Sequence, residues 1–170
     1  RRVLFRYCRD KLKEVIDVIF AADETAVQSF IETFRSEFET LPLADIAFPR
    51  GVNGLDKYSD SKTIYASGCP IHVRGSLVYN NILRFHKLTT KYPLIQGGEK
   101  IKFVFLKEPN TVQSNVIAFP QGGMPEELDL HKYIDYNTQF EKAFLFPLTI
   151  ILDSIGWKAE RSASLEDFFS

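Results

Sequence analysis

The spacing of apolar residues predicts a helical hairpin at the start of the chain. Apolar positions recur every three or four residues over 4–20, which indicates an amphipathic helix. Asp23 is suited to cap a second helix and Glu24 to occupy its first turn. That helix carries five apolar residues of 27–38 on one face and ends near Leu41 and Pro42.

The middle of the chain predicts a loop, a helix and two strands. Residues 44–69 contain several Pro and Gly residues and are expected to form a loop. Pro70 suits the first turn of a helix that continues to Phe85. Residues 102–106 and 115–119 are two β-rich runs, and the turn residues between them favour antiparallel pairing.

The last third predicts helices and a detachable tail. One helix is expected from Asp129 through Tyr136, and a longer one over 138–155 that Pro147 kinks or restarts. The fold class predicted is α+β, mainly helical with a small antiparallel sheet. We expect residues 1–160 to form one domain and residues 161–170 a flexible tail.

Composition limits the classes of function. Of 170 residues, 45% are hydrophobic and 25% charged, so the chain can bury a core. The net charge of −1 excludes a uniformly basic nucleic-acid coat, so any DNA contact must come from local clusters of Lys and Arg. Such clusters also occur on ordinary solvated surfaces.

Several other classes of protein are not indicated. The two cysteines and three histidines lack the spacing of a zinc site. No apolar run approaches the ~20 residues of a membrane span, and no signal peptide is recognisable. We therefore expect no metal or cofactor in this chain and a location in the cytoplasm.

Three hydrophobic residues stand in the polar C-terminal tail. Leu165, Phe168 and Phe169 have the spacing of one helical or 3₁₀ turn, which would gather them into a compact plug. This spacing resembles the clamp-binding peptide of replication proteins, although Ser162 replaces the usual leading Gln. The alternative is a tail that folds back onto its own core.

Four segments, in order, resemble the end of a T4-type phage family B DNA polymerase. The most distinctive is Cys69-Pro70-Ile71-His72-Val73-Arg74-Gly75-Ser76-Leu77-Val78-Tyr79-Asn80, and the others lie within 11–30, 98–120 and 134–165. The resemblance implies the thumb, the element that grips the minor-groove side of the primer-template duplex. It also implies three partners: that duplex, a sliding clamp and the catalytic N-terminal part of the polymerase.

Six residues are candidates for DNA binding. The resemblance places basic residues at the positions of Lys100, Lys107 and Lys142, while His72, Arg74 and Tyr79 would lie at the start and along one side of the predicted helix. Arg74 could serve a phosphate or a buried carboxylate, and the carboxylate is favoured. Phe146 departs from the family, which often has Lys there.

Gly75 is unusual within a predicted helix, because glycine costs ~1 kcal/mol there relative to alanine. A helix that accepts this cost often needs a close backbone approach, either to DNA or to a packed neighbour.

No catalytic residue is expected. Residues 58–63 superficially resemble the palm motif Tyr-x-Asp-Thr-Asp-Ser, but Lys62 replaces the second carboxylate and would repel a metal ion. We interpret the segment as a surface loop and expect Mg²⁺ to be held by the palm, which this chain lacks. Residues 1–13 depart most from the family pattern, which favours the product of a split gene over an excised fragment.

Two other functions are considered. A stand-alone module could bind the sliding clamp without touching DNA. A metal-dependent nuclease would use Asp56, Asp60 and Glu99, although their spacing matches no recognised motif.

Overall fold

A helical hairpin opens the part of the chain that the computed structural model describes, residues 6–161. Helix α1 spans Arg6–Ala21 and α2 spans Glu24–Phe38. The Asp23 carboxylate accepts a hydrogen bond from the Ala26 N–H at 2.9 Å, which satisfies one of the free donors of the first turn. The predicted hairpin and its cap are confirmed.

A three-stranded antiparallel sheet forms the centre of the fold. Its strands are β1 (Phe48–Gly51), β4 (Lys100–Phe105) and β5 (Val116–Pro120), in the order β1-β4-β5. The predicted pairing of β4 with β5 is confirmed, with Phe103 opposite Ala118. Residues 44–69 are not a plain loop, so that prediction was wrong. They form α3 (Leu43–Ile46), β1, α4 (Leu55–Tyr58) and a small hairpin of β2 (Ser59–Asp60) and β3 (Ile64–Tyr65).

The elements missed within 44–69 are short, and one of them, β1, depends on a distant partner. Strand β1 contains Pro49, which cannot donate to a ladder and is tolerated because β1 is an edge strand. Its pairing with β4 joins segments about fifty residues apart, for example Phe48 with Phe103. A local pattern does not contain that information.

Helix α5 (Ile71–Phe85) packs directly on β5. The prediction of this helix is confirmed. Gly75 makes the close approach possible: a Cβ atom placed there would lie 2.9 Å from the Ala118 nitrogen and 3.2 Å from the Ile117 carbonyl carbon. The neighbour that Gly75 accommodates is therefore the sheet and not DNA.

The C-terminal helices form one run with an irregular middle. Helix α6 (Tyr136–Phe140) passes through a π-helical turn (Glu141–Leu145) into α7 (Phe146–Ser154). Pro147 lies in the first turn of α7, directly after the π-helical turn, so the run is irregular near the position where a kink or a restart was predicted, but it is not interrupted.

The prediction of a helix from Asp129 through Tyr136 was wrong. Asp129 has a φ of 50° and ends a 3₁₀ turn (Glu126–Leu128), and a second 3₁₀ turn (His131–Tyr133) precedes α6. The helix cannot continue to Tyr136 because Ile134 is extended, with a ψ of 126°, and forms a β-bridge with Leu106.

Aromatic rings join the helices. Phe34 contacts Phe38, Phe140 and Phe144 with centroid distances of 5.9, 5.5 and 4.8 Å, so α2 packs along α6 and the π-helical turn. Gln139 is fully buried; its side-chain oxygen accepts from the Phe105 N–H at 3.1 Å and its amide donates to the Ile46 carbonyl. These contacts fasten the helices to β4.

The architecture is α+β, mainly helical with a small antiparallel sheet, as predicted. Among the described helices, none is both long and apolar enough to cross a membrane.

Candidate nucleic-acid interface

A cleft lined by cations lies along the paired strands β1 and β4. Its volume is about 420 Å³. The register places Gly51 opposite Lys100, Arg50 opposite Ile101 and Pro49 opposite Lys102. Arg50 is therefore a diagonal neighbour of both lysines, and its side chain starts from the other face of the strand pair. We call this cleft the basic cleft; the residues lining it are Pro49, Arg50, Gly51, Lys100, Ile101, Lys102 and Gln121, and none is acidic.

The lysines of the basic cleft are held differently. Lys100 is exposed at the first position of β4. The Lys102 ammonium donates to the Ala44 carbonyl at 2.8 Å, which anchors one of its three N–H groups at the rim. Because a neutral carbonyl does not cancel the charge, Lys102 remains available to an anion.

His72 lies beside the basic cleft, near the start of α5. Partial burial lowers the pKa of His72, and the nearby positive charge of Arg50 lowers it further. Both effects favour the neutral imidazole at neutral pH. His72 therefore adds a hydrogen-bonding group rather than a charge to this region.

Two of the lysines that were predicted to bind DNA lie at the other end of β4. Lys107 is exposed just beyond the strand, and Lys142 places its ammonium 5.2 Å from the ring centroid of Phe105. We call Lys107 and Lys142 the distal pair. Lys107 is seven positions beyond Lys100 in extended chain, which corresponds to roughly 20 Å.

The cations of both regions form no salt bridge with another described residue. Within residues 6–161, salt bridges involve the basic residues Lys11, Arg35, Lys91, Lys132 and Arg161. Arg50, Lys100, Lys102 and the distal pair form none with another described residue. These cations are thus free of salt bridges within the described residues, although Glu99, Glu108 and Glu141 are the sequence neighbours of Lys100, Lys107 and Lys142.

The remaining two candidates have other surroundings. The Arg74 guanidinium lies 5.7 Å from the Tyr65 ring centroid, and no described carboxylate forms a salt bridge with it. Tyr79 is fully buried, and burial, with a smaller contribution from Tyr92, raises the pKa of Tyr79 to about 12. In this position Tyr79 contributes to the core and cannot reach a DNA backbone, so the structure corrects its assignment to the interface.

Sequence reasoning missed Arg50, because its strand was interpreted as a loop. Its only local signal is a cation between Pro49 and Gly51. The pairing of β1 with β4 is what places it beside Lys100.

The segment that resembles a palm motif is a surface hairpin. The Asp60 carboxylate accepts from the backbone N–H groups of Lys62 and Thr63 at 2.7 and 3.0 Å, and the bonds from Thr63 and Lys62 lower the pKa of Asp60. Within the described residues, no group of three potential metal ligands comes together. Asp56, Asp60 and Glu99 therefore do not form the cluster that a nuclease would need.

The segment that leads into the tail, residues 158–161, is hydrogen-bonded to α2. The Glu24 carboxylate accepts from the Lys158 N–H at 2.8 Å, the Gln28 amide donates to the Lys158 carbonyl at 3.0 Å, and Arg161 pairs with Glu32 at 3.0 Å. The predicted clamp-binding residues lie outside the described part of the chain; they are Leu165, Phe168 and Phe169.

The sequence is similar to the DNA polymerases of two phages, although no family model matches it. The chain is 32% identical over 164 residues to the DNA-directed DNA polymerase of Enterobacteria phage T4, covering 95% of this chain and 18% of that protein. It is 32% identical over 161 residues to the DNA-directed DNA polymerase of Escherichia phage RB69, covering 93% of this chain and 17% of that protein. The chain thus spans less than a fifth of the length of these relatives, and nearly its whole length is similar to one part of each.

Proposed function

We propose that this chain is the thumb of a T4-like phage DNA polymerase, which grips the backbone of primer-template duplex and is tethered to a sliding clamp by its tail. The observation that carries the proposal is the row of cations along β4 that have no acidic partner among the described residues. Catalysis and Mg²⁺ binding belong to a separate catalytic portion of the polymerase.

The spacing of the cations suits a duplex. The basic cleft and the distal pair lie roughly 20 Å apart, which matches about six base pairs of B-form DNA. Lysine and arginine that contact phosphates carry no sequence code, so the grip would act on any sequence, as a replicative enzyme requires.

Salt dependence tests the DNA contact. Fluorescence anisotropy measures binding of the chain to a labelled primer-template duplex over a range of salt concentrations. We expect binding of two unrelated duplex sequences with equal affinity. Lys100→Ala and Arg50→Ala should each weaken binding and reduce the slope of log affinity against log salt by about one unit for each phosphate that is no longer neutralised.

Lys132→Ala is the matched control, because Lys132 is an exposed lysine already paired with Asp129 at 3.0 Å. It should leave the slope unchanged. Equal effects of all three substitutions, or no effect of any, would contradict the assignment of the interface. If the cleft variants bound the sliding clamp as before and duplex binding did not depend on the cleft, the stand-alone clamp-binding module that does not touch DNA would be favoured instead.

The clamp contact is tested separately. Phe168→Ala combined with Phe169→Ala should abolish binding to the sliding clamp while duplex affinity and melting temperature stay unchanged, since anchoring aromatics dominate such interfaces. A fall in melting temperature of several degrees would place these rings in the core and would refute this part of the proposal.

A further inference from the structure

Helix α7 is apolar on most of its circumference, which is unusual for a helix at a protein surface. Of its nine residues, six are Phe, Pro, Leu or Ile. Helices that are hydrophobic all round are normally covered on every side. Here only Leu148 and Leu152 are buried.

The opposite side of α7 faces solvent. Phe146 is 51% exposed and Ile150 is 74% exposed, and at a separation of four residues they lie next to each other on the helix surface. Ile151, which follows Ile150, and Ile155, which ends the helix, are also exposed, and the exposed polar residues Asp153 and Ser154 lie beside Ile150 on the same side. We call the four apolar residues the outer α7 face.

This face is chemically unsuited to DNA. No Lys or Arg occurs between Lys142 and Lys158, and the only charged residue in that interval is Asp153. A phosphate backbone would find no cation there. Phe146 also stands where the resemblance to the polymerases implies a lysine, so this side of the helix has an apolar ring in place of a charge.

We infer that the outer α7 face docks against the catalytic portion of the polymerase. The inference rests on the proposed function. The chain spans only 18% of the length of its T4 relative, so more than four fifths of a related polymerase has no counterpart in it, and that remainder is the partner we assign to this face. An apolar face with an aromatic residue and branched aliphatic residues, without cations, has the composition of the buried centre of a stable protein interface.

The test measures binding of this chain to the catalytic portion, which is the polymerase polypeptide of the same phage without the segment that corresponds to this chain. Ile150→Ser and Phe146→Ser should each weaken this binding at least tenfold, as expected for central apolar anchors. Phe85→Ser is the matched control: Phe85 is 75% exposed, but it lies at the end of α5. It should change the affinity less than twofold.

Each other result has a defined meaning. Absence of binding by the unsubstituted chain, or equal effects of all three substitutions, overturns the inference. Self-association of the unsubstituted chain that Ile150→Ser abolishes, seen by sedimentation, would assign the face to a second copy and also overturn it. Unfolding of both variants would contradict the exposure of these side chains and thus the face itself.

The duplex-binding assay separates this inference from the proposed function. If Ile150→Ser weakens duplex binding of the isolated chain while binding to the catalytic portion persists, the face belongs to the DNA grip and the inference fails. If the unsubstituted chain does not bind duplex at all but does bind the catalytic portion through this face, the proposed DNA grip fails and the docking surface stands.

Discussion

The close contact between α5 and β5 makes Gly75→Ala a sharp test of the fold that supports the basic cleft. The added Cβ would lie 2.9 Å from the Ala118 nitrogen and 3.2 Å from the Ile117 carbonyl carbon. Both obstacles are backbone atoms of a sheet strand, so no side-chain rotation can relieve the contact. Helix α5 would have to move away from β5.

Two opposing effects determine how much Gly75→Ala changes the free energy of unfolding. Alanine in place of glycine favours the helix by ~1 kcal/mol. Overpacking a close-packed interior typically costs about 1–3 kcal/mol, and an obstacle made of backbone places this site in the upper part of that range. We therefore expect a net loss of about 1–2 kcal/mol in the free energy of unfolding, which lowers the melting temperature by roughly 3–6 °C in a chain of this size.

Thermal unfolding followed by circular dichroism measures the effect. Asn81→Ala is the control, because Asn81 is exposed on the same helix and should gain helix propensity without the steric conflict. If Gly75→Ala melted at or above the temperature of the unsubstituted chain, the close approach of helix and sheet would be refuted.

Two further predictions concern buried and surface polar groups. Gln139→Leu leaves the Ile46 carbonyl and the Phe105 N–H without their side-chain partner, which should cost roughly 2–4 kcal/mol in urea unfolding; a loss below about 1 kcal/mol would contradict the role of this residue. Hydrogen bonding, first from Lys91, lowers the pKa of Glu127 from 4.5 to about 2. Because this folded-state pKa is depressed, the stabilisation is fully present above pH 4.5 and is lost as pH falls towards 2. Lys91→Met should therefore make stability less dependent on pH in that window, and an unchanged acid profile would refute the ion pair.

Much of the secondary structure could be predicted because its causes are local. The capped hairpin of α1 and α2, helix α5 and the β4-β5 pair each follow from the spacing of apolar residues within one short segment. Strand β1 could not be predicted in this way, since a four-residue edge strand containing Pro49 becomes a strand only by pairing with β4.

The residues of the candidate site also differ in whether the sequence alone could predict them. Sequence resemblance supplied Lys100, Lys107 and Lys142, and the position of Tyr79 along the predicted helix α5 added Tyr79 to the candidates. Only packing shows that Tyr79 is enclosed in the core, because a tyrosine on a helix looks the same in sequence whichever side faces the sheet.

By itself, the sequence determined the hairpin of α1 and α2, helix α5, the central strand pair and the similarity to phage polymerases, because each depends on residues that are close together or on their order. The tertiary structure decided that Arg50 joins Lys100, that Gly75 meets β5 and that the outer α7 face stays open. Those facts depend on which distant segments pack together, and charge clusters, burial and close approach exist only after they have done so.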